Sequence, residues 1–280
     1  MEQKLIFLDI DGTILIPGEG IRQEVRDGLR LARKHGHRVF ICTGRAHCML
    51  PEELRDMELD GIIASAGSDI WIHGQNAYRT ALEPELLEKA CRTLEDLDGV
   101  YMLEGYDRIY VSEKGERLLR GMDPIPNENP ELYRWREFFN RRSDVESVKT
   151  WDSGKIPIPK VAFMLWEKER VEQIYKALEE DFYIAFFQQD SDASYYNGEL
   201  ISRSANKGTA IRRTAELLKQ DIQNTIAFGD SMNDYQMIEH AACGVVMGNG
   251  DEKLKAIADR ICEPVEEDGV IRELERMHII

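Results

Sequence analysis

Four short stretches of this 280-residue chain carry side chains that could do chemistry together: Asp9-Ile10-Asp11-Gly12-Thr13, Thr43-Gly44-Arg45, Asn206-Lys207-Gly208 and Gly229-Asp230-Ser231-Met232-Asn233-Asp234. Asp9 and Asp11 put two carboxylates one residue apart, and like charges that close call for a cation. Asp230 adds a third carboxylate, with Ser231 and Asn233 beside it. An oxygen-rich set free of sulfur and histidine suits Mg²⁺ rather than zinc or copper. Lys207, the Thr43 hydroxyl and the turn amides offer charge and donors to phosphoryl oxygens, so the set reads as a phosphate cradle. An aspartate left unligated could attack phosphorus, because phosphoryl transfer asks a protein mainly for positioning and charge neutralisation.

These residues work together only if the fold delivers them to one place. The apolar run Leu5-Ile6-Phe7-Leu8 predicts a strand buried on both faces, as in a parallel sheet covered by helices. Two carboxylates cannot sit inside such a strand, so Asp9 and Asp11 are expected at its carboxyl end, where open α/β sheets bind ligands. Alternation along an extended chain would send both carboxylates to one site, with Gly12 turning the backbone beside them. Residues 21–34 predict a crossover helix ended by His35-Gly36, and 38–42 a second strand running into Thr43-Gly44-Arg45. Residues 61–65 predict a third strand, followed by Ala66-Gly67-Ser68 and a hairpin at His73-Gly74. After an interruption, Gly198-Glu199-Leu200-Ile201 is expected to resume the core, and Asn206-Lys207-Gly208 to open a helix bearing Ile211, Ala215 and Leu218. Residues 224–228 predict a strand ending in the Asp230 loop, and helices and strands alternate to 276. The expected fold is α/β, a doubly wound parallel sheet.

Between the third strand and Lys207 the texture changes. Short strands alternate with helices at 84–97, 131–140 and 168–181, and Pro and Gly punctuate 121–130 and 154–159. This predicts an inserted α+β domain at 83–189, with the core formed by 1–82 and 190–280 and hinges at both junctions.

A formal charge of −16 and a pI near 4.9 disfavour nucleic acid and anionic membrane as partners. The start Met-Glu-Gln-Lys shows no basic-then-apolar leader, and no apolar run approaches the length of a membrane span, so a cytoplasmic protein is expected. The five cysteines are widely spaced and predict buried thiols rather than disulfides or a zinc site.

The four stretches resemble the four motifs of the haloacid dehalogenase superfamily, and the insertion resembles the class IIB cap of its Cof-type sugar-phosphate phosphatases. That resemblance implies an Asp9 nucleophile and an Asp11 general acid and base whose backbone carbonyl also meets the metal. It implies phosphate or substrate binding by Thr43, Gly44, Arg45, Lys207 and Asn233, and a Mg²⁺ site drawn from Asp9, Asp11 and Asp230. Ser231 and Asp234 would support that loop. The implied reaction is Mg²⁺-dependent hydrolysis of a small phosphorylated metabolite through an aspartyl phosphate. Two alternatives share the motifs: a phosphomutase resembling the phosphomannomutases, and a regulatory protein that kept the fold without turnover.

Some stretches depart from the pattern or carry no assignment. Ala66-Gly67-Ser68 stands where many relatives have Asn-Gly-Ala, which removes a side-chain amide from the substrate mouth. Arg203 reads as a loop charge. Arg134, Arg136, Arg141, Arg142, Lys149, Lys155 and Lys160 are interleaved with acids and read as a solvated face. Tyr133, Trp135, Trp151 and Trp166 read as cap core. The sequence carries no signal for an oligomeric state.

Overall fold

The computed structural model describes residues 2–54, 56–126, 129–186 and 194–280. The first strand, β1 (Leu5–Leu8), is wholly buried. It is followed by helix α1 (Gln23–Lys34) and strands β2 (Arg38–Cys42), β3 (Gly61–Ala64), β4 (Asp69–Ile72) and β5 (Gln75–Arg79). His73 and Gly74 turn between β4 and β5 with φ of 49° and 75°, the paired positive values of a two-residue hairpin.

The chain then builds a second unit: α2 (Pro84–Asp96), β6 (Val100–Glu104), β7 (Ile109–Val111), α3 (Glu113–Leu119), α4 (Pro130–Asn140), β8 (Val145–Ser147), β9 (Lys160–Leu165), α5 (Lys168–Leu178), β10 (Phe182–Phe186) and β11 (Tyr196–Ser202). The return runs through α6 (Lys207–Leu217), β12 (Thr225–Gly229), α7 (Tyr235–His240), β13 (Cys243–Val246), α8 (Glu252–Lys255), β14 (Arg260–Ile261) and α9 (Gly269–Arg276).

Residues 1–80 and 204–280 form one compact unit, and 81–203 the other. In the first, the strands among the described residues lie in the order β14-β13-β12-β1-β2-β3-β4-β5. They are parallel from β14 to β3, while β4 and β5 extend the edge antiparallel. Alternation along β1 divides the core. Ile6 and Leu8 pack with Val25 and Leu29 of α1 and Leu274 of α9, whereas Leu5 and Phe7 pack with Ile211 of α6 and Met237 of α7. Helices thus cover both faces, which is why β1 is apolar at every position.

In the second unit the order is β10-β11-β9-β6-β7-β8, antiparallel except for β7 with β8. Helices α2 and α5 cover Tyr101, Leu103, Val161 and Phe163 on one face, and α3 and α4 bring Leu118 and Leu132 to Val100 and Met164 on the other. Tyr133, expected in the cap core, is exposed, and two further expectations change here. Gly198–Ile201 belongs to β11, paired with β9 and β10, and so closes the inserted sheet instead of resuming the core. An apolar strand pattern does not say which sheet takes the strand. The expected return junction at 189/190 lies outside the described residues.

The second change is Lys160. It is 2% exposed and pairs with Glu104, at 3.0 Å, and with Glu199. By contrast Arg141, Lys149 and Lys155 form exposed pairs with Glu137, Glu113 and Asp152, as interleaved charges should. Arg203 donates to the Glu179 carbonyl at the end of α5, a local structural role.

Candidate active site

The Asp9 amide still bonds to the Phe228 carbonyl at 3.0 Å, so Asp9 continues the β1 ladder one residue past the strand. Its side chain is buried. Beyond it the chain turns at Gly12, φ 77°, where a Cβ would stand 2.4 Å from Asp230 Oδ2. A glycine is required there by both the turn and the approach of the neighbouring carboxylate.

Lys207 opens α6, which is fixed by a capping box: Asn206 accepts from the Thr209 amide, and the Thr209 hydroxyl from the Asn206 amide. From this fixed start the buried ammonium donates to Asp9 Oδ1 at 2.7 Å, to Asp234 Oδ1 at 2.5 Å and to Asn233 Oδ1 at 3.4 Å. Asp234 uses its other oxygen, Oδ2, to accept the amides of Asp230 and Ser231 at 3.0 and 3.1 Å. Ser231 Oγ donates to Asn233 Oδ1 at 2.9 Å. Gly229 is tight for the same reason, since a Cβ there would meet Asp234 at 2.6 Å.

The carboxylates of Asp9, Asp230 and Asp234 lie within 4.8 Å of one another. Three carboxylates face one ammonium, and burial together with this excess of negative charge raises Asp9 and Asp230. Burial, then the charge of Asp234, pushes Asp9 up to about 7, against the pull of Lys207. Burial and the charges of Asp234 and Asp9 push Asp230 up to about 8. Burial alone would lower Lys207, but Asp234 and Asp9 outweigh it and hold the ammonium well above its ordinary value. Such a cluster fits a divalent cation. Both Asp234 oxygens are committed to Lys207 and the loop amides, so the oxygens suited to a hard ion are those of Asp9 and Asp230.

Asp11 goes elsewhere. Its carboxylate receives two hydrogen bonds from Arg45, from Nε at 2.8 Å and Nη2 at 2.6 Å, and is half exposed. The strand has ended at Leu8, so alternation no longer sends Asp11 where it sends Asp9. Thr43 is buried, and its hydroxyl accepts the Arg45 amide at 3.2 Å across Gly44. The structure therefore brings Asp9, Lys207, Asp230, Ser231, Asn233 and Asp234 into one cluster and ties Asp11 to the Thr43–Arg45 loop. One contributor escaped sequence reasoning. Asn249, after β13, donates to the Gly12 carbonyl at 2.9 Å. Thr13, quoted in the first stretch without a role, brings Oγ1 to 3.4 Å from Asp230 Oδ1. The signal for Asn249 was position, a polar residue just past a strand end.

Residues 6–274 match the family of haloacid dehalogenase-like hydrolases. The chain belongs to that family. This hydrolase is 28% identical to phosphatase YwpJ of Bacillus subtilis, over 98% of this chain and 99% of that one. It is 28% identical to the 5-amino-6-(5-phospho-D-ribitylamino)uracil phosphatase YitU of the same organism, over 98% of each. Its fold is that of the HAD subclass IIB sugar phosphatase BT4131, with a TM-score of 0.82 at 22% identity over 99% of this chain and all of that one. The hydrolase is thus of the phosphatase type, with the core and inserted cap of that subclass. Among the described residues, no helix is long and apolar enough to cross a membrane.

Proposed function

We propose that this hydrolase cleaves a small phosphorylated metabolite in the cytoplasm, with Mg²⁺ and through an aspartyl phosphate on Asp9. The observation that carries the reading is the buried Asp9 carboxylate, held at 2.7 Å by Lys207 and facing Asp230. A carboxylate restrained by an ammonium, at the end of a rigid strand, is pre-aimed rather than mobile. Asp9 and Asp230 would hold the ion, which neutralises charge on the phosphoryl oxygens when bound.

The steps belong to this chain's own groups. One Asp9 oxygen attacks phosphorus, the ester bond breaks, and the leaving oxygen takes a proton from Asp11, which must first part from Arg45 and pick that proton up from solvent. Asp11 then accepts a proton from water, whose oxygen attacks the aspartyl phosphate and frees phosphate and Asp9. Lys207 and the Thr43 hydroxyl stabilise the charge on the transferring group. Arg45 holds the Asp11 carboxylate, and a substrate phosphate would compete with Asp11 for it.

The inserted unit, in this reading, selects the leaving group. It enters the chain after the β3–β5 edge and leaves it four residues before Lys207. The name of YitU, a phosphatase for a ribityl phosphate, supports a small phosphorylated substrate. The test is phosphate release from p-nitrophenyl phosphate and from a panel of phosphorylated sugars and cofactors, with Mg²⁺ and with EDTA. Undiminished turnover after metal removal, or a glucose 1-phosphate assay yielding the 6-phosphate isomer instead of free phosphate, refutes it.

A further inference from the structure

Where β3 runs out, the backbone adopts a shape that its sequence does not favour. Ser65 and Ala66 have φ of 49° and 53°, and Gly67 of 108°. The left-handed region costs an ordinary L-residue about 1–2 kcal/mol, and neither serine nor alanine is selected for it by turn chemistry. Strain of this kind persists only where the surroundings impose it.

Two parts of the site are those surroundings. On one side the Thr43 amide bonds to the Ile63 carbonyl at 2.8 Å, the Ser65 amide to the Arg45 carbonyl at 2.8 Å and the Ala66 amide to the Thr43 carbonyl at 3.0 Å. On the other side Gly67 lies against α6. A Cβ at Gly67 would stand 2.4 Å from the Asn206 carbonyl oxygen, 2.6 Å from its carbon and 3.1 Å from Ala210 Cβ. Asn206 is the N-cap of α6, and the next residue is Lys207.

We infer that Ser65–Gly67 is a positioning element: it sets the separation between the Thr43–Arg45 loop and the start of α6, and the missing side chain at Gly67 lets Lys207 reach Asp9. The turn does this with backbone alone, so its role does not depend on the side-chain amide missing from Ala66-Gly67-Ser68. The obstacle to a side chain at Gly67 is a main-chain carbonyl inside a capping box, which cannot swing aside as a flexible side chain would. The carbonyl must retreat by about 0.6 Å to bring the 2.4 Å contact to 3.0 Å, the least separation that Cβ atoms show. The first turn of α6 moves with it, and Lys207 is held at 2.7 Å to Asp9 and 2.5 Å to Asp234 with little slack. Displacements well under 1 Å at an aligned nucleophile cost roughly tenfold, and those near 1 Å up to about a hundredfold.

The inference rests on the proposed phosphatase chemistry for its kinetic readout and on geometry alone for its structural one. The experiment uses the full chain, with crystal structures and kcat and KM for p-nitrophenyl phosphate with Mg²⁺ for the wild type and three variants. Gly67→Ala adds the Cβ. Ala210→Val thickens the same contact from the helix side without altering φ at Gly67, and decides the matter if Gly67→Ala does not fold. Gly28→Ala is the stability control, because its Cβ would meet Ile271 Cδ1, a side-chain end, at 2.6 Å in the α1–α9 packing. The expected result is a kcat about ten- to a hundredfold lower in Gly67→Ala and lower by a smaller factor in Ala210→Val, with KM moving less. Lys207 Nζ should be drawn away from Asp9 in both, and Gly28→Ala should keep the wild-type rate. Wild-type kcat in folded Gly67→Ala and Ala210→Val overturns the inference, as does a reduced rate with the Lys207–Asp9 contact unmoved. A wild type that hydrolyses nothing removes the phosphatase reading, while the crystal structures still decide the positioning.

Discussion

Replacing Asp230 by Asn should make the metal-free protein more stable while destroying its response to Mg²⁺. Asn is isosteric with Asp, so Oδ1 can still accept from Thr13 and the close packing on Gly12 is kept. What disappears is one of three buried or half-buried negative charges gathered around a single ammonium. Asp230 is raised from 3.8 to about 8, first by burial and then by Asp234 and Asp9. A carboxyl held above its unfolded value disfavours folding once the pH exceeds the unfolded value, and the penalty grows until the folded value is passed. At pH 7 the penalty is on the order of 2–4 kcal/mol. For a chain of this size each kcal/mol moves the melting temperature by about 2–4 °C, so metal-free Asp230→Asn should melt roughly 4–16 °C above metal-free wild type. The gap should close as the pH falls towards 3.8. Saturating Mg²⁺ should then raise the wild type by about 3 kcal/mol at a hundredfold excess over its dissociation constant and leave the variant almost unmoved. Differential scanning calorimetry in EDTA and in Mg²⁺ reads both effects. A metal-free variant less stable than wild type, or equal Mg²⁺ shifts in the two proteins, would show that the carboxylates are not poised for an ion.

Three further outcomes follow from other parts of the molecule. Asp9→Asn should retain its fold and lose at least about a hundredfold in kcat, measured as phosphate release, because the attacking oxygen is gone. His37 is buried, its Nδ1 accepts the Lys4 amide at 3.0 Å, and burial holds it below 6.5. Its contribution to stability is present above pH 6.5 and lost as the pH falls below it, so urea midpoints at pH 7 and pH 5 should differ less in His37→Gln than in wild type. Lys160→Met should cost about 3–5 kcal/mol in urea unfolding by stranding Glu104 and Glu199, and adding Glu104→Gln and Glu199→Gln should recover most of that loss; no recovery would place the damage in packing rather than charge.

Much of the core was legible because its signals are local. Leu5–Leu8 is apolar at every position since both faces are covered, and the break to Asp9 marks the strand end by itself. The placing of most of the candidate site residues was legible for a related reason, as each motif sits just past a strand or at a helix start. What could not be read were choices among partners. The β11 segment has the pattern of any buried strand, and only pairing with β9 and β10 assigns it to the inserted sheet. Lys160 looks like its solvated neighbours in sequence, and its burial depends on Glu104 and Glu199 arriving from other strands. Asp11 and Arg45 are 34 residues apart, and nothing in either motif says that they face each other.

Asp234 has a consequence for how the site comes apart. One oxygen holds the helix that starts with Lys207, and the other holds the main chain at Asp230 and Ser231. Two chain segments, the start of α6 and the loop after β12, are therefore latched by one side chain. Neither can fray while the other stays closed, so the amides of 230 and 231 should exchange with solvent in the same opening event that frees the first turn of α6. A protein that must release phosphate on every turnover keeps its charged cradle rigid in this way, and leaves motion to segments that the latch does not hold.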